Sequence, residues 1–101
     1  MDNIIEVTEI KSVVRQLNTA VLKFTAKPGT NILNITGLPT GTQVVSAWIT
    51  EYNEELGMIA GHAIFYTKSV QLYSKGEKCR VIFEMGSYDR NLTAVVTMIF
   101  G

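Results

Sequence analysis

Proton-transfer chemistry in this chain would have to pass through His62, its one histidine, in Ala60-Gly61-His62-Ala63-Ile64. A hydrolase or transferase sets such a base beside a nucleophile and an oxyanion site. A lone histidine in an alternating segment instead reads as a packed or solvent-facing strand residue. Zinc takes three or four nitrogen and sulfur ligands, and one His with one Cys falls short of that. Cys79, the single cysteine, excludes an intrachain disulfide and sits in Cys79-Arg80-Val81-Ile82-Phe83-Glu84-Met85 as a small core residue. Glu51, Glu54 and Glu55 suggest a glycosidase pair or a calcium site, but glycosidase carboxylates flank a cleft from different elements. Neighbours in sequence, these three read as the charged tip of a hairpin. The scattered glycines form no phosphate loop. The expectation is a non-enzyme with no catalytic residue, no metal and no cofactor.

Binding chemistry has better candidates. Tyr88, Asp89 and Arg90, in Ser87-Tyr88-Asp89-Arg90-Asn91, combine a ring with groups that hold sugars by stacking and paired hydrogen bonds. Tyr52 and Asn53, at the start of another loop, complete the predicted ligand-binding set. Lys68, Lys75, Lys78 and Arg80 lie near Tyr66 and Tyr73, a mixture suited to stacking single-stranded nucleic acid. Glu77 and Glu84 interrupt it, and nine basic residues balance nine acidic ones, so no nucleic acid is expected as partner. The sequons Asn34-Ile35-Thr36 and Asn91-Leu92-Thr93 matter only in a secreted eukaryotic protein. Met1 to Glu9 lacks the pattern of a signal peptide, so both are taken as chance.

The elements that position these residues are mostly strands. The 101 residues suit one domain, 1–101, and no apolar run reaches the roughly 20 residues of a membrane span, so no membrane insertion is expected. Apolar residues make up 47% of the chain, enough to suggest burial against another subunit. Two-residue alternation broken by Gly, Pro, Asn and Ser clusters predicts an all-β, antiparallel, jelly-roll-like β-sandwich. Thr19–Ala26 turns through Lys27-Pro28-Gly29-Thr30 into the return strand Asn31–Thr36. Gln43–Asn53 follows, with Trp48 as the expected core anchor. Asn53-Glu54-Glu55-Leu56-Gly57 is the expected hairpin loop, from which Met58–Tyr66 returns beside the preceding strand. A short strand Val70–Ser74, a tight turn Lys75-Gly76-Glu77, and Lys78–Met85 with Cys79, Val81, Phe83 and Met85 inward come next. Leu92–Phe100, apolar on both faces, must be buried on both sides, either centrally in the sheet stack or at a subunit contact. Residues 1–18 carry a helical spacing (Ile10, Val13, Val14, Leu17) and a heptad seam (Val7, Ile10, Val14, Leu17, Val21), against β-branched residues that favour a strand. They form a short N-terminal helix or a strand, and are the candidate oligomerising segment.

With that N-terminal seam, Leu38-Pro39-Thr40-Gly41, Val44-Val45-Ser46-Ala47-Trp48-Ile49-Thr50, Tyr66-Thr67-Lys68-Ser69-Val70-Gln71-Leu72-Tyr73 and the closing Leu92–Phe100, the stretch Leu38–Gly101 resembles the small β-sandwich heads of bacteriophage tail fibres, head fibres and receptor-binding proteins. The resemblance is one of pattern. It implies a homotrimer located in the virion, with distal loops touching a host surface glycan or another virion protein. The expected function is therefore a non-catalytic structural or adhesion protein of the fibre-head or capsid-decoration type. The alternative from a different class is a freestanding carbohydrate-binding module in which Tyr52, Tyr88 and Trp48 stack on sugar rings.

Overall fold

The computed structural model describes residues 3–6, 17–59 and 61–101. Seven strands follow one another: β1 (Asn18–Ala26), β2 (Gly29–Thr36), β3 (Val45–Asn53), β4 (Gly57–Ile59), β5 (Ile64–Tyr73), β6 (Lys78–Gly86) and β7 (Leu92–Phe100). They form two antiparallel sheets, ordered β1-β7-β3-β4 and β2-β6-β5, with a core between them; β2 is therefore not the return strand of β1, because the Pro28-Gly29 corner carries the chain into the other sheet, where β2 pairs with β6. The fold is an all-β sandwich, as the alternation predicts. The question of helix or strand in the N-terminal segment, and most of its heptad seam, fall on residues 7–16, outside the described residues.

The core follows from phase. On β6 the odd residues Cys79, Val81, Phe83 and Met85 point inward, as expected; on β7 the even residues Ala94, Val96 and Met98 do. Phe83, with no exposed surface, meets Phe24 edge-on at 5.7 Å between centroids and Phe65 at 6.1 Å, which ties the sheets together. β7 runs between β1 and β3; its inner face is buried, whereas on its outer face only Val95 is buried and Thr93, Thr97 and Ile99 are half-buried.

Three further expectations are corrected. Trp48 is not a core anchor: β3 pairs Ala47 with Met98 and Ile49 with Val96, so its odd residues enter the core, and Trp48, opposite Thr97, stands on the outer face 44% exposed. Both faces of this strand carry apolar residues, and a shift of one residue in phase exchanges them. The second concerns the strand after the hairpin loop. Only Gly57–Ile59 pairs with β3, after which the chain crosses to the other sheet and runs unbroken from Ile64 to Tyr73 beside β6, absorbing the expected short strand Val70–Ser74. An irregularity between Thr67 and Ser69 shifts the register there. The third, Glu51, belongs to the site below.

Candidate interaction surfaces

Glu51 lies on the inward-facing side of β3, with 5% of its surface exposed. It is not part of a solvated hairpin tip. A buried carboxylate needs donors, and the crossover from β4 to β5 supplies them. Oε1 accepts the His62 backbone N–H at 2.7 Å, Oε2 lies 3.0 Å from His62 Nδ1, and the Ala63 N–H also donates to the carboxyl group. Gly61 makes room, since a Cβ there would lie 2.8 Å from Oε2. Burial pushes the Glu51 pKa up, but the hydrogen bonds from His62 and Ala63 outweigh it and hold the carboxyl below its ordinary value. An ionised carboxylate only accepts, so Nδ1 carries a proton, and Nε2 faces solvent on a side chain 69% exposed. The ring packs on Tyr88 at 5.5 Å between centroids.

This carboxylate–imidazole pair has the outward form of an oriented general base. No nucleophile lies within hydrogen-bonding distance of His62 among the described residues, whose hydrogen bonds there go to Glu51. Glu51 fastens the crossover on which the chain changes sheets.

The predicted ligand-binding residues gather at the same end of the sandwich, where β3 finishes and β7 begins. Tyr52 lies on the outer face with Lys23 Nζ 5.6 Å from its ring centroid. Asn53 Oδ1 accepts the backbone N–H of Glu55 and of Leu56 at 2.9 and 3.0 Å, so it shapes the hairpin. Asn53→Ala should cost about 1 kcal/mol, the scale of a lost cap, and lower the melting temperature by about 4–8 °C. Tyr88 is half-buried against the core, and Asp89 and Arg90 project into solvent with Arg90 Nε 4.0 Å from Asp89 Oδ1. The hairpin and the 86–91 loop thus share one end, but their side chains do not converge on a pocket among the described residues.

The outer face of the four-stranded sheet carries few charges among the described residues. Across β1, β7 and β3 its rows read Thr19–Ile99–Ser46, Val21–Thr97–Trp48 and Lys23–Val95–Thr50, with Tyr52 opposite Met58 beyond them. Lys23 is the one charge on it among the described residues, and its ammonium is tied to Glu54 Oε1 at 2.7 Å. Glu54 raises the Lys23 pKa by that hydrogen bond and by its charge. Val95 is 3% exposed although it lies outside the core cluster. The outer face of the other sheet is more charged, carrying Lys68, Lys78, Arg80 and Glu84, but it also exposes Ile32, Ile64, Tyr66 and Tyr73. This face is not evident from the sequence while Trp48 is expected in the core. The alternation Trp48, Thr50, Tyr52 contains it once the phase is known.

No family model matches the chain, and neither the curated proteins nor the solved structures include one similar to it.

Proposed function

We propose that this chain is a non-catalytic structural and adhesion subunit that assembles with copies of itself, as subunits of a phage-type fibre head or capsid decoration do, with the homotrimer as its working state. One observation carries the proposal: the outer face of the four-stranded sheet presents Val21, Trp48, Ile99 and Met58 among threonines, with one charged side chain among the described residues, already paired. Apolar area of this kind is stabilised by removal from water, and a symmetric contact between copies removes it. The opposite sheet and the loops then remain free to meet a host surface or a neighbouring virion protein.

Light scattering after size exclusion tests this. The whole chain should give the mass of a trimer, and Trp48→Glu, which sets a charge in the middle of the face, should run as a monomer with an unchanged far-ultraviolet dichroism spectrum. A monomeric whole chain excludes self-assembly.

A second function is favoured by one specific feature. Trp48, exposed, and Tyr52, half-buried beside Lys23, stand on the same face of β3, about 13 Å apart for four residues of strand, and rings so placed suit a neutral sugar chain lying along the sheet. Tyr88 is not on that face, being packed against His62 and the core. If the chain is a monomer, neutral oligosaccharides should quench Trp48 fluorescence saturably; no quenching excludes a sugar platform there.

A further inference from the structure

The three-stranded sheet ends, where β2 and β5 finish and β6 begins, in a recess of about 350 Å³ lined by Asn34, Ile35, Thr36, Tyr73, Lys78, Cys79 and Arg80. That volume falls within the range of about 300–1,000 Å³ of small-molecule sites, which is more room than a bare ion needs. Two cations and no acidic side chain line it, and neither Lys78 nor Arg80 is ion-paired among the described residues.

Arg80 is held in place before any ligand arrives. Its Nε donates to Asn34 Oδ1 at 3.2 Å from the strand on one side, and its guanidinium lies 5.0 Å from the ring centroid of Tyr73 on the strand at the other. The Tyr73 hydroxyl in turn donates to Gln71 Oε1. With Nε engaged, the two terminal nitrogens remain, which is the planar pair that meets a carboxylate bidentately. Lys78 adds a second positive charge directly across from Tyr73 and Thr36. Thr36 and the Asn34 amide add neutral groups of the kind that bind sugar hydroxyls.

From these features we infer that the recess binds an acidic sugar unit, with the carboxylate of a uronic acid seated on Arg80 and Lys78 and its ring hydroxyls facing Asn34 and Thr36. The positive charge does not extend along the sheet as a nucleic-acid strand requires. The next row toward the other end is the apolar pair Ile32 and Ile82, and beyond it Lys68 is neutralised by Glu84 at 3.1 Å. The site lies on the sheet opposite the proposed assembly face, goes beyond self-assembly and does not depend on it.

The test is a titration of the whole chain with glucuronate, followed by backbone amide chemical shifts, with glucose, inorganic phosphate and oligothymidylate run beside it. Glucuronate should shift the amides of residues 34–36, 73 and 78–80 saturably, with glucose at least tenfold weaker. Arg80→Gln should weaken glucuronate about ten- to a hundredfold, the scale of a lost bidentate charge-assisted pair, and Lys78→Gln should weaken it less. Both side chains are exposed, so both variants should keep the wild-type spectrum elsewhere. The titration repeated on Trp48→Glu should give the same affinity, which separates this site from the assembly face. No saturable shift, phosphate binding as tightly as glucuronate, or tighter binding of oligothymidylate would each overturn the assignment.

Discussion

Gly76→Ala is expected to destabilise the sandwich by about 3 kcal/mol, combining the left-handed backbone penalty of a residue with a Cβ and the cost of an overpacked contact. Gly76 is buried in the 3-10 turn Ser74–Gly76 between β5 and β6, with φ at +86°. A Cβ there would lie 2.6 Å from Thr42 N and 3.0 Å from its carbonyl carbon, and closer still to its carbonyl oxygen. These are backbone atoms that cannot swing aside. Thr42 is itself held, its N–H and hydroxyl both donating to Pro39 O. The contact joins two distant parts of the chain, because Gly41 N–H donates to Lys75 O at 2.8 Å and Leu38 N–H to Glu77 O at 3.1 Å. Calorimetry should show a melting temperature lower by about 12–24 °C. Gly37→Ala is the control: its φ of +91° carries the same backbone penalty, but nothing lies within 4 Å, so the loss should be only about 1–2 kcal/mol. Equal losses at the two positions would show that Thr42 yields.

Glu51→Ala should cost a comparable amount, about 3 kcal/mol, because it strips the acceptor from the His62 and Ala63 backbone N–H groups at a part-buried site. The loss should be pH-dependent. The folded Glu51 carboxyl titrates below its ordinary value of 4.5, so the folded state favours the ionised form. Its contribution is complete above the unfolded value and declines as the pH falls through the folded one. Glu51→Gln keeps the shape but turns an amide towards the donors. Denaturant unfolding should therefore find it less stable than wild type by about 2 kcal/mol at neutral pH, with the gap closing only below about pH 4.5, in the acid range where Glu51 is protonated. A gap that persists unchanged through the acid range would assign the stabilisation to packing. Gly61, whose missing Cβ leaves room for the carboxylate, belongs to the same latch.

Much of the architecture follows from residue order. Two-residue alternation with Gly and Pro breaks specifies strands, and Cys79, Val81, Phe83 and Met85 identify the inner face of β6, since no other phase buries four apolar side chains together. The apolar residues of β7 on both faces call for cover on both sides, from the core or from a subunit contact. Pro28 and Gly29 set the corner between β1 and β2, where Gly29 takes φ of +91°. These are local properties, carried by side-chain type and backbone preference within a few residues.

Pairing between distant strands decided the rest. Period two divides β3 into two faces without saying which is buried; the choice came from its register with β7, which sent Ala47 and Ile49 inward and left Trp48 outside. Glu51 then followed its phase into the interior, where only the crossover at residues 61–63 provides the donors that a buried carboxylate requires. The recess around Arg80 likewise needs Asn34 from β2 and Tyr73 from β5, residues 46 and 7 positions away along the chain. Side-chain types therefore determined that this protein is a β-sandwich, while the long-range registers of β3 with β7 and of β6 with β2 and β5 determined which surfaces it offers. The physical reason is that strand propensity is local, whereas burial and the juxtaposition of charges are properties of the assembled sheets.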